Sequence, residues 1–274
     1  MTSPARVAPH AVSAEPPAAL RYLADTVTIA GVELRKVLRD PTELLSRALQ
    51  PLLWLLVFGQ VLARVHAIPT GDLSYLDFLA PGVLAQSALF SAIFYGIAVI
   101  WERDLGVVHK LLVSPASRGA LVTGKAIAGG LRALVQAVIV YLVAVALRVH
   151  LRVEPLAILG VAVAIVLGSG LFATFSLVVA CLVRTRERFM GIGQLMTMPL
   201  FFASSAVYPV ALMPDWLQVI ATANPLTYMV DLIRSLMIVG GSSAHGAGLD
   251  LAVLGGALVV LLTIAARLYP RLAQ

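Results

Sequence analysis

The sequence predicts an all-α integral membrane protein with six transmembrane helices, an amino-terminal amphipathic interfacial helix, and outer re-entrant helices. Three observations support this class. The mean hydropathy of +0.94, with 60% hydrophobic and 12% charged residues, lies far from the balance of a soluble domain. The apolar residues form long blocks that suit membrane-crossing helices. Lys and Arg collect in alternate connections between those blocks, as is typical of cytoplasmic loops.

The apolar blocks define the spans. Residues 78–100, 155–183 and 189–214 carry no charge, and each block exceeds the roughly 20 residues that a helix needs to cross about 30 Å of hydrocarbon. Three further blocks carry a single charge each. The composition, rich in Ala, Leu, Val and Gly, favours helices over barrel strands. Together the blocks predict one membrane domain, 41–274, with spans at about 44–63, 78–101, 126–147, 155–183, 189–209 and 248–267.

The basic residues set the orientation. With six spans and the amino terminus on the inner side of the membrane, 16 of the 20 Lys and Arg residues lie on the inner side. The four on the outer side are Arg64, Arg148, Arg152 and Arg234. Both termini are therefore predicted to be cytoplasmic. This bias also accounts for the net charge of +6, so no nucleic-acid partner is expected. The single cysteine, Cys181, excludes an internal disulfide and is interpreted as a packed, inert thiol.

The amino-terminal region is interpreted in two parts. Residues 1–20 contain four prolines and are predicted to be a disordered tail. Residues 21–40 are predicted to form an amphipathic helix on the inner membrane surface, with Leu23, Val27, Ala30 and Leu34 on its apolar face. Asp40-Pro41 would end that helix. A solvated linker is the alternative.

The stretch from Pro209 to Asp250 is too interrupted to span a membrane. Asn224 and Pro225 are typical of an N-cap and first helical residue. Gly240-Gly241 would end that helix. Two short helices entering the outer leaflet fit this stretch. Asp231 and Arg234, spaced i, i+3, can pair, either as a solvated surface ion pair or as part of a seal at the outer mouth.

Several kinds of chemistry are absent from the sequence. It contains no G-x-x-x-x-G-K-[ST] phosphate loop, no H-E-x-x-H metal motif and no G-x-S-x-G elbow, so no catalytic or metal site is expected. The long charge-free spans lack the acidic residues that coupled carriers generally need, which places the energy source in a partner. Polar and aromatic span residues either join helices or line a pathway. The candidate pathway residues are Gln60, Gln86, Tyr95, Gln194, Phe201 and Phe202.

A charged island, Trp101–Lys125, separates two apolar blocks. Within it a short apolar ridge of Val107, Val108, Leu111 and Leu112 ends at Ser114-Pro115. A helix this short is unstable alone in water, which predicts that it docks into a groove. Glu102 is expected to pair with Arg103, Lys110 or another cytoplasmic base. A positively charged loop that only fixes topology is the alternative.

Two motifs resemble a known family. The first comprises Glu102-Arg103, Gly106, Lys110-Leu111-Leu112, Ser114-Pro115 and Lys125. The second comprises Tyr208-Pro209, Met213-Pro214-x-Trp216-Leu217, Asn224-Pro225-Leu226-Thr227-Tyr228 and Arg234. With the six-span layout, the chain from Arg21 to its end resembles type-2 ABC exporter permeases of the daunorubicin-resistance kind. Ser204-Ser205 departs from the Ser-Gly expected there.

The resemblance implies a half-transporter that pairs with a second permease, often its own copy, and with two ATP-binding subunits. ATP and Mg²⁺ would bind those subunits, and this chain would hold no cofactor. The first and fifth spans would face the other permease. The implied ATPase-coupling residues are Glu102, Arg103, Gly106, Val107, Val108, Lys110, Leu111, Leu112, Ser114, Pro115, Leu34, Lys36 and Arg39. The implied outer-gate residues are Tyr208, Pro209, Pro214, Trp216, Asn224, Pro225, Asp231 and Arg234.

The expected function is export of a hydrophobic drug or lipid-like amphiphile across a bacterial plasma membrane, in contact with membrane lipids. Glycolipids and polysaccharides are further substrates of the family, and the few pathway aromatics favour a drug or lipid. An ion-coupled secondary carrier or channel is the main alternative. A membrane-embedded lipid enzyme and a scaffold that only recruits the ATPase are two others.

Overall fold

The computed structural model describes residues 17–39, 49–65, 68–114, 116–183 and 185–273. These residues are almost entirely helical, and their only β-type pairing is one isolated antiparallel bridge between Leu151 and Ile238. The helices are α1 (Ala18–Arg39), α2 (Leu49–Val65), α3 (Tyr75–Asp104), α4 (Val107–Leu112), α5 (Arg118–Ala146), α6 (Pro155–Leu182), α7 (Arg186–Phe202), α8 (Asp215–Ala223), α9 (Pro225–Met237) and α10 (Ala247–Leu268). A π-helical turn, Trp54–Gly59, interrupts α2.

Within the described residues, four helices are long and apolar enough to cross a membrane: α3, α5, α6 and α10. They match the predicted second, third, fourth and sixth spans. The predicted first span, 44–63, corresponds to the shorter apolar helix α2, and residues 44–48 lie outside the described residues. The described residues therefore confirm an all-helical class with four candidate membrane-spanning helices, and the six-span layout stays a prediction.

The predicted fifth span, 189–209, is wrong at its outer end. Helix α7 has 17 residues and stops at Phe202, because Ala203 leaves helical geometry at ψ 45°. Its length corresponds to about 25 Å. The residues that follow, 203–208, turn back into the protein, where Ser204–Val207 are buried.

Helix α6 lies at the centre of the bundle and packs against α3, α5, α9 and α10. The charge-free sequence of α6 suits this position, because neighbours surround it on several sides. Small residues let α5 and α6 approach closely: a Cβ on Gly130 would lie 2.9 Å from the carbonyl oxygen of Val166.

Helix α1 packs against α5 with only part of the face that the sequence predicted. Leu23 and Val27, assigned to the apolar stripe, are exposed, whereas Ala30 of the same stripe is buried together with Thr26 and Glu33. The reason is the surface of α5, where Gly124 allows close approach and Lys125 supplies a charge. The exposed apolar residues suit a helix at the membrane surface. The helix also starts at Ala18, inside the predicted tail, and Asp40-Pro41 and residues 1–16 lie outside the described residues.

Candidate functional site

Four charged side chains from three helices meet beside the start of α4. We call Glu33 and Lys36 of α1, Glu102 of α3 and Lys125 of α5 the inner charge cluster. Lys125 Nζ donates to Glu33 Oε1 at 3.0 Å and to Glu102 Oε2 at 2.6 Å. Lys36 Nζ donates to the same two carboxylates, at 3.2 Å and 2.6 Å. The charges of the two acids and two bases balance, and each carboxylate accepts hydrogen bonds from both ammonium groups.

Burial strengthens the ion pairs of this cluster and makes the loss of any partner costly. Lys125 is 1% exposed, and Glu33 is also buried. Burial disfavours the charged form of Glu33, but Lys125 and Lys36 outweigh that effect and lower the pKa of Glu33 from 4.5 to about 2. Removing one partner from such a buried pair leaves an uncompensated charge, which costs about 3–5 kcal/mol. The cluster therefore holds α1, α3 and α5 together as one unit.

Glu102 pairs with basic residues, as expected, and its partners are Lys36 and Lys125 rather than Arg103 or Lys110. Arg103 bonds Asp104 at 3.1 Å, not Glu102, and Lys110 is exposed. Asp104 in turn accepts from Arg186 of α7 at 2.7 Å. The reason is geometric, because successive residues on a helix point in different directions. Glu102 faces α1 and α5, while Arg103 and Asp104 face the connection between α6 and α7.

Helix α4 is a short connector, and only part of its apolar ridge is exposed for contact with a partner. Gly106 starts it with φ 71°, a left-handed conformation that glycine tolerates best. Val108 is fully buried, and Leu111 and Leu112 are half-buried against the same core. The predicted docking ridge is therefore wrong for Val108, because that side chain packs inside its own chain.

The exposed surface around α4 consists of other residues. His109 and Lys110 are exposed, and Leu105 and Val113, which flank the helix, are 71% and 85% exposed. Ser114 ends the turn by donating to the Leu111 carbonyl at 2.7 Å, and Val107 is half-buried. Pro115 lies outside the described residues.

Glu33 is the residue of the inner charge cluster that sequence reasoning missed. Its position four residues after Ile29 and seven after Thr26 places it on the face that contacts α5. A charge on a face that must pack is the signal that could have found it. Of the other predicted α1 residues, Lys36 joins the cluster and Leu34 is half-buried. Arg39 ends α1, and its side chain lies outside the described residues.

At the opposite end of α3, the predicted outer-gate residues converge. Arg234 lies 3.3 Å from Asp231, donates to the Ser205 carbonyl at 2.7 Å, and stacks 3.9 Å from the ring of Phe78. Ser205 Oγ donates to Asp231 at 2.9 Å, so the departure at Ser204-Ser205 adds a hydrogen bond. Both charged residues are buried, which excludes a solvated surface pair.

Asn224 is the N-cap of α9, as predicted, and Pro225 is its first residue. Its amide nitrogen also donates to the carbonyls of Leu200 and Ala203, at 2.7 Å each, which ties α9 to the end of α7. Tyr208 donates to the Phe202 carbonyl at 2.7 Å. The predicted stop at Gly240-Gly241 is late, because the helix ends at Met237.

The remaining outer-gate residues lie at the surface. Pro209 precedes a 3₁₀ turn, Pro214 precedes α8, and Trp216 on α8 is exposed. The outer residues therefore form one buried junction with an exposed rim.

The candidate pathway residues do not form a single track. Gln86 is buried, Tyr95 lies 5.8 Å from Lys125 Nζ, and Gln194 is exposed on α7. Phe201 and Phe202 pack edge-on against Trp54 of α2. Gln60 is half-buried on α2. Among the residues that the structure describes, no group of three or more His, Cys, Asp or Glu side chains could hold a metal ion.

Comparison with known proteins gives a consistent result. Residues 25–238 match the family model described as ABC-2 type transporter. The chain is 32% identical over 200 residues to the putative transport permease ycf38 of Cyanophora paradoxa, covering 72% of this chain and 69% of that protein.

Two further relatives carry more specific names. The daunorubicin resistance ABC transporter permease protein DrrB1 of Streptomyces coeruleorubidus is 28% identical over 233 residues, covering 84% of this chain and 80% of the relative. Nodulation protein J of Rhizobium leguminosarum bv. trifolii is 30% identical over 197 residues, covering 71% and 74% respectively.

Proposed function

Because the chain belongs to the ABC-2 type transporter family, we propose that it is the membrane-spanning subunit of an ATP-driven exporter for a hydrophobic drug or lipid-like amphiphile. The chain is a non-catalytic, multi-pass transport subunit. A separate subunit, present in two copies, binds ATP and Mg²⁺ and supplies the energy.

The inner charge cluster is the observation that carries this proposal. It links α1, α3 and α5 next to α4, so a force on the exposed side of α4 reaches three helices at once. The link between Asp104 and Arg186 extends the same unit to α7. A rigid unit with two positions is what coupling between distant sites requires. We propose that the ATPase pushes on this unit and thereby shifts the bundle.

The docking surface for the ATPase consists of the exposed residues on α4 and directly beside it. Leu105 and Val113 offer apolar contact at the two ends of the helix, and His109 and Lys110 offer polar contact between them. Protein interfaces combine apolar and polar contacts in this way. The buried Val108 then serves as the anchor that transmits the push into the core.

The second permease is a copy of this chain that covers α7. Leu195, Met196 and Met198 are exposed on that helix, which makes fewer contacts with the bundle than α6 does. The distribution of Lys and Arg supports a plasma-membrane orientation with cytoplasmic termini. The buried Asp231–Arg234 junction would close the outer side until the bundle shifts.

The experiment that tests this proposal is co-purification from native cells. The tagged chain should retain an ATP-binding subunit in equal amount. Val113→Asp should remove that subunit, because it replaces an apolar residue that is 85% exposed on the docking surface with a charged one. Val153→Asp is the matched control, since Val153 is 79% exposed on the opposite side of the bundle.

A chain that purifies alone and transports in vesicles without ATP would contradict the proposal and favour an ion-coupled carrier. Retention of the ATPase by Val113→Asp would contradict the location of the docking surface.

A further inference from the structure

A groove of about 410 Å³ lies between α1, α5 and α10, and we call it the inner groove. Its lining includes Tyr22 of α1, Gly119 and Thr123 of α5, and Val259, Thr263 and Arg267 of α10. It shares no residue with the inner charge cluster or with the Asp231–Arg234 junction. The inner groove is therefore a separate feature of the molecule.

One wall of the inner groove is a contact between α1 and α5. The hydroxyl oxygens of Tyr22 and Thr123 lie 2.7 Å apart, and a Cβ on Gly119 would lie 3.2 Å from the Tyr22 ring. Only one of the two hydroxyl hydrogens is used in this bond, so the other can be donated to a ligand. Thr263 donates its own hydrogen to the Val259 carbonyl at 2.9 Å.

The other wall carries a positive charge. Arg267 is exposed, and no ion pair in the described part of the chain involves it. None of the residues that line the inner groove is acidic. Arg118, also exposed, starts α5 directly before Gly119 and adds a second positive charge beside the groove. A guanidinium without a carboxylate partner, next to a free hydroxyl donor, suits a phosphate group.

The depth of the inner groove matches one leaflet of a bilayer. Arg267 lies in the last turn of α10, on the side that the distribution of Lys and Arg predicts to be cytoplasmic. Val259 precedes it by eight residues, which corresponds to about 12 Å along the helix. Half of the hydrocarbon core is about 15 Å thick. The groove therefore extends from the headgroup level into the inner leaflet.

The surroundings of the inner groove favour a membrane lipid over a free phosphate ester. Val259, Val260 and Ile264 of α10 are exposed large apolar residues, so this side of the bundle suits contact with acyl chains. Leu262 and Ala266 continue the apolar lining. A phosphate site that continues into an apolar groove matches a lipid, with its phosphate at Arg267 and an acyl chain beside Val259.

The charge of the lining selects the headgroup. The ammonium group of a zwitterionic phospholipid would find no carboxylate in the inner groove. An anionic phospholipid leaves no such group unpaired and is attracted by both arginines. Basic pockets between membrane helices on the cytoplasmic side are a recurrent way of binding anionic headgroups.

We propose that the inner groove binds one anionic glycerophospholipid of the inner leaflet. The lipid is a resident ligand that contacts α1, α5 and α10 together, and it is distinct from the exported substrate. Because α1 also carries Glu33 and Lys36, the bound lipid holds the helix that supplies half of the inner charge cluster. This inference is independent of the proposed function, since it requires no ATPase and no transport.

The test measures lipid binding by the purified full chain with native mass spectrometry. The chain in detergent micelles is titrated with phosphatidylglycerol, which is anionic, or with phosphatidylethanolamine of the same acyl chains, which is zwitterionic. Phosphatidylglycerol should bind at least about fivefold more tightly, the contribution of one basic residue near an anionic headgroup. It should also raise the unfolding temperature of the chain, because a ligand stabilises the state that binds it.

Arg267→Gln should weaken phosphatidylglycerol binding by about fivefold and should reduce the rise in unfolding temperature. Arg267→Lys keeps the charge and should retain most of the preference for the anionic lipid. Arg188→Gln is the matched control, because it removes the same charge from an exposed position on α7, away from the groove. It should bind as the parent does.

Equal binding of the two lipids by the parent would overturn the proposal, as would an unchanged preference in Arg267→Gln. An equal loss in Arg188→Gln would overturn the assigned site, because attraction by the overall charge would then select the lipid. Soluble glycerol phosphate that displaces phosphatidylglycerol at equal concentration would overturn the choice of a membrane lipid and assign the site to a free phosphate ester.

Discussion

Lys125→Met should release α1 from the bundle. The substitution removes the ammonium group that bonds Glu33 at 3.0 Å and Glu102 at 2.6 Å. Both carboxylates then share only Lys36, whose side chain is 49% exposed and therefore screened by solvent. Methionine fills a similar volume, so the change isolates the charge.

The expected magnitude follows from burial. Loss of one partner from a buried ion pair costs about 3–5 kcal/mol, which shifts the equilibrium between docked and released α1 by about 150- to 5,000-fold. Ala30→Cys reports this equilibrium, because Ala30 is buried on the docked face of α1. Its reaction with a water-soluble maleimide should accelerate in the Lys125→Met background.

Val32→Cys is the control, since Val32 is exposed on α1 and should react at the same rate in both backgrounds. Adding Glu33→Gln to Lys125→Met should restore part of the protection, because it removes one unpaired acid. Unchanged protection of Ala30→Cys in Lys125→Met would refute the account of the inner charge cluster.

Three other predictions concern stability and pH. Asp231→Asn should lower the free energy of unfolding by about 3–5 kcal/mol, because it leaves the buried Arg234 charge unpaired. Ser205→Ala should lower it by about 1 kcal/mol, because one hydrogen bond to Asp231 is lost. Thermal unfolding of both variants checks this. Gly106→Ala should cost about 1–2 kcal/mol through its positive φ, whereas Gly31→Ala, in open space within α1, should be neutral or stabilising by about 0.5–1 kcal/mol. The pKa of Glu33 is lowered from 4.5 to about 2, so its contribution to α1 docking should be constant from pH 8 to 5 and should fall as the pH drops from 4.5 towards 2. The mobility of a spin label at Leu23 measures this docking. A loss of docking above pH 5 would contradict the prediction.

The sequence predicted what depends on local chemistry. Apolar blocks located α3, α5, α6 and α10, since crossing a membrane requires length and apolar character alone. The Asn224-Pro225 pair located the start of α9, because a cap is a local hydrogen bond.

The sequence could not predict what depends on a neighbouring helix. The buried face of α1 follows the shape of α5, so an apolar stripe was a poor guide to it. Val108 was expected to face a partner and instead lies within the buried cluster of its own chain. The pairing of Glu102 with Lys36, 66 residues away, is likewise a tertiary contact.

The central claim is that ATP hydrolysis in a partner drives transport through the inner charge cluster. The most direct measurement follows ATP hydrolysis and lipid transport together, in proteoliposomes that hold the purified complex, for the parent and Glu102→Ala. We predict that the variant keeps its ATPase and still hydrolyses ATP, but that transport per ATP falls by at least about tenfold, because the carboxylate that joins α3 to Lys36 of α1 and to Lys125 of α5 is gone. Unchanged transport per ATP in Glu102→Ala would contradict the account.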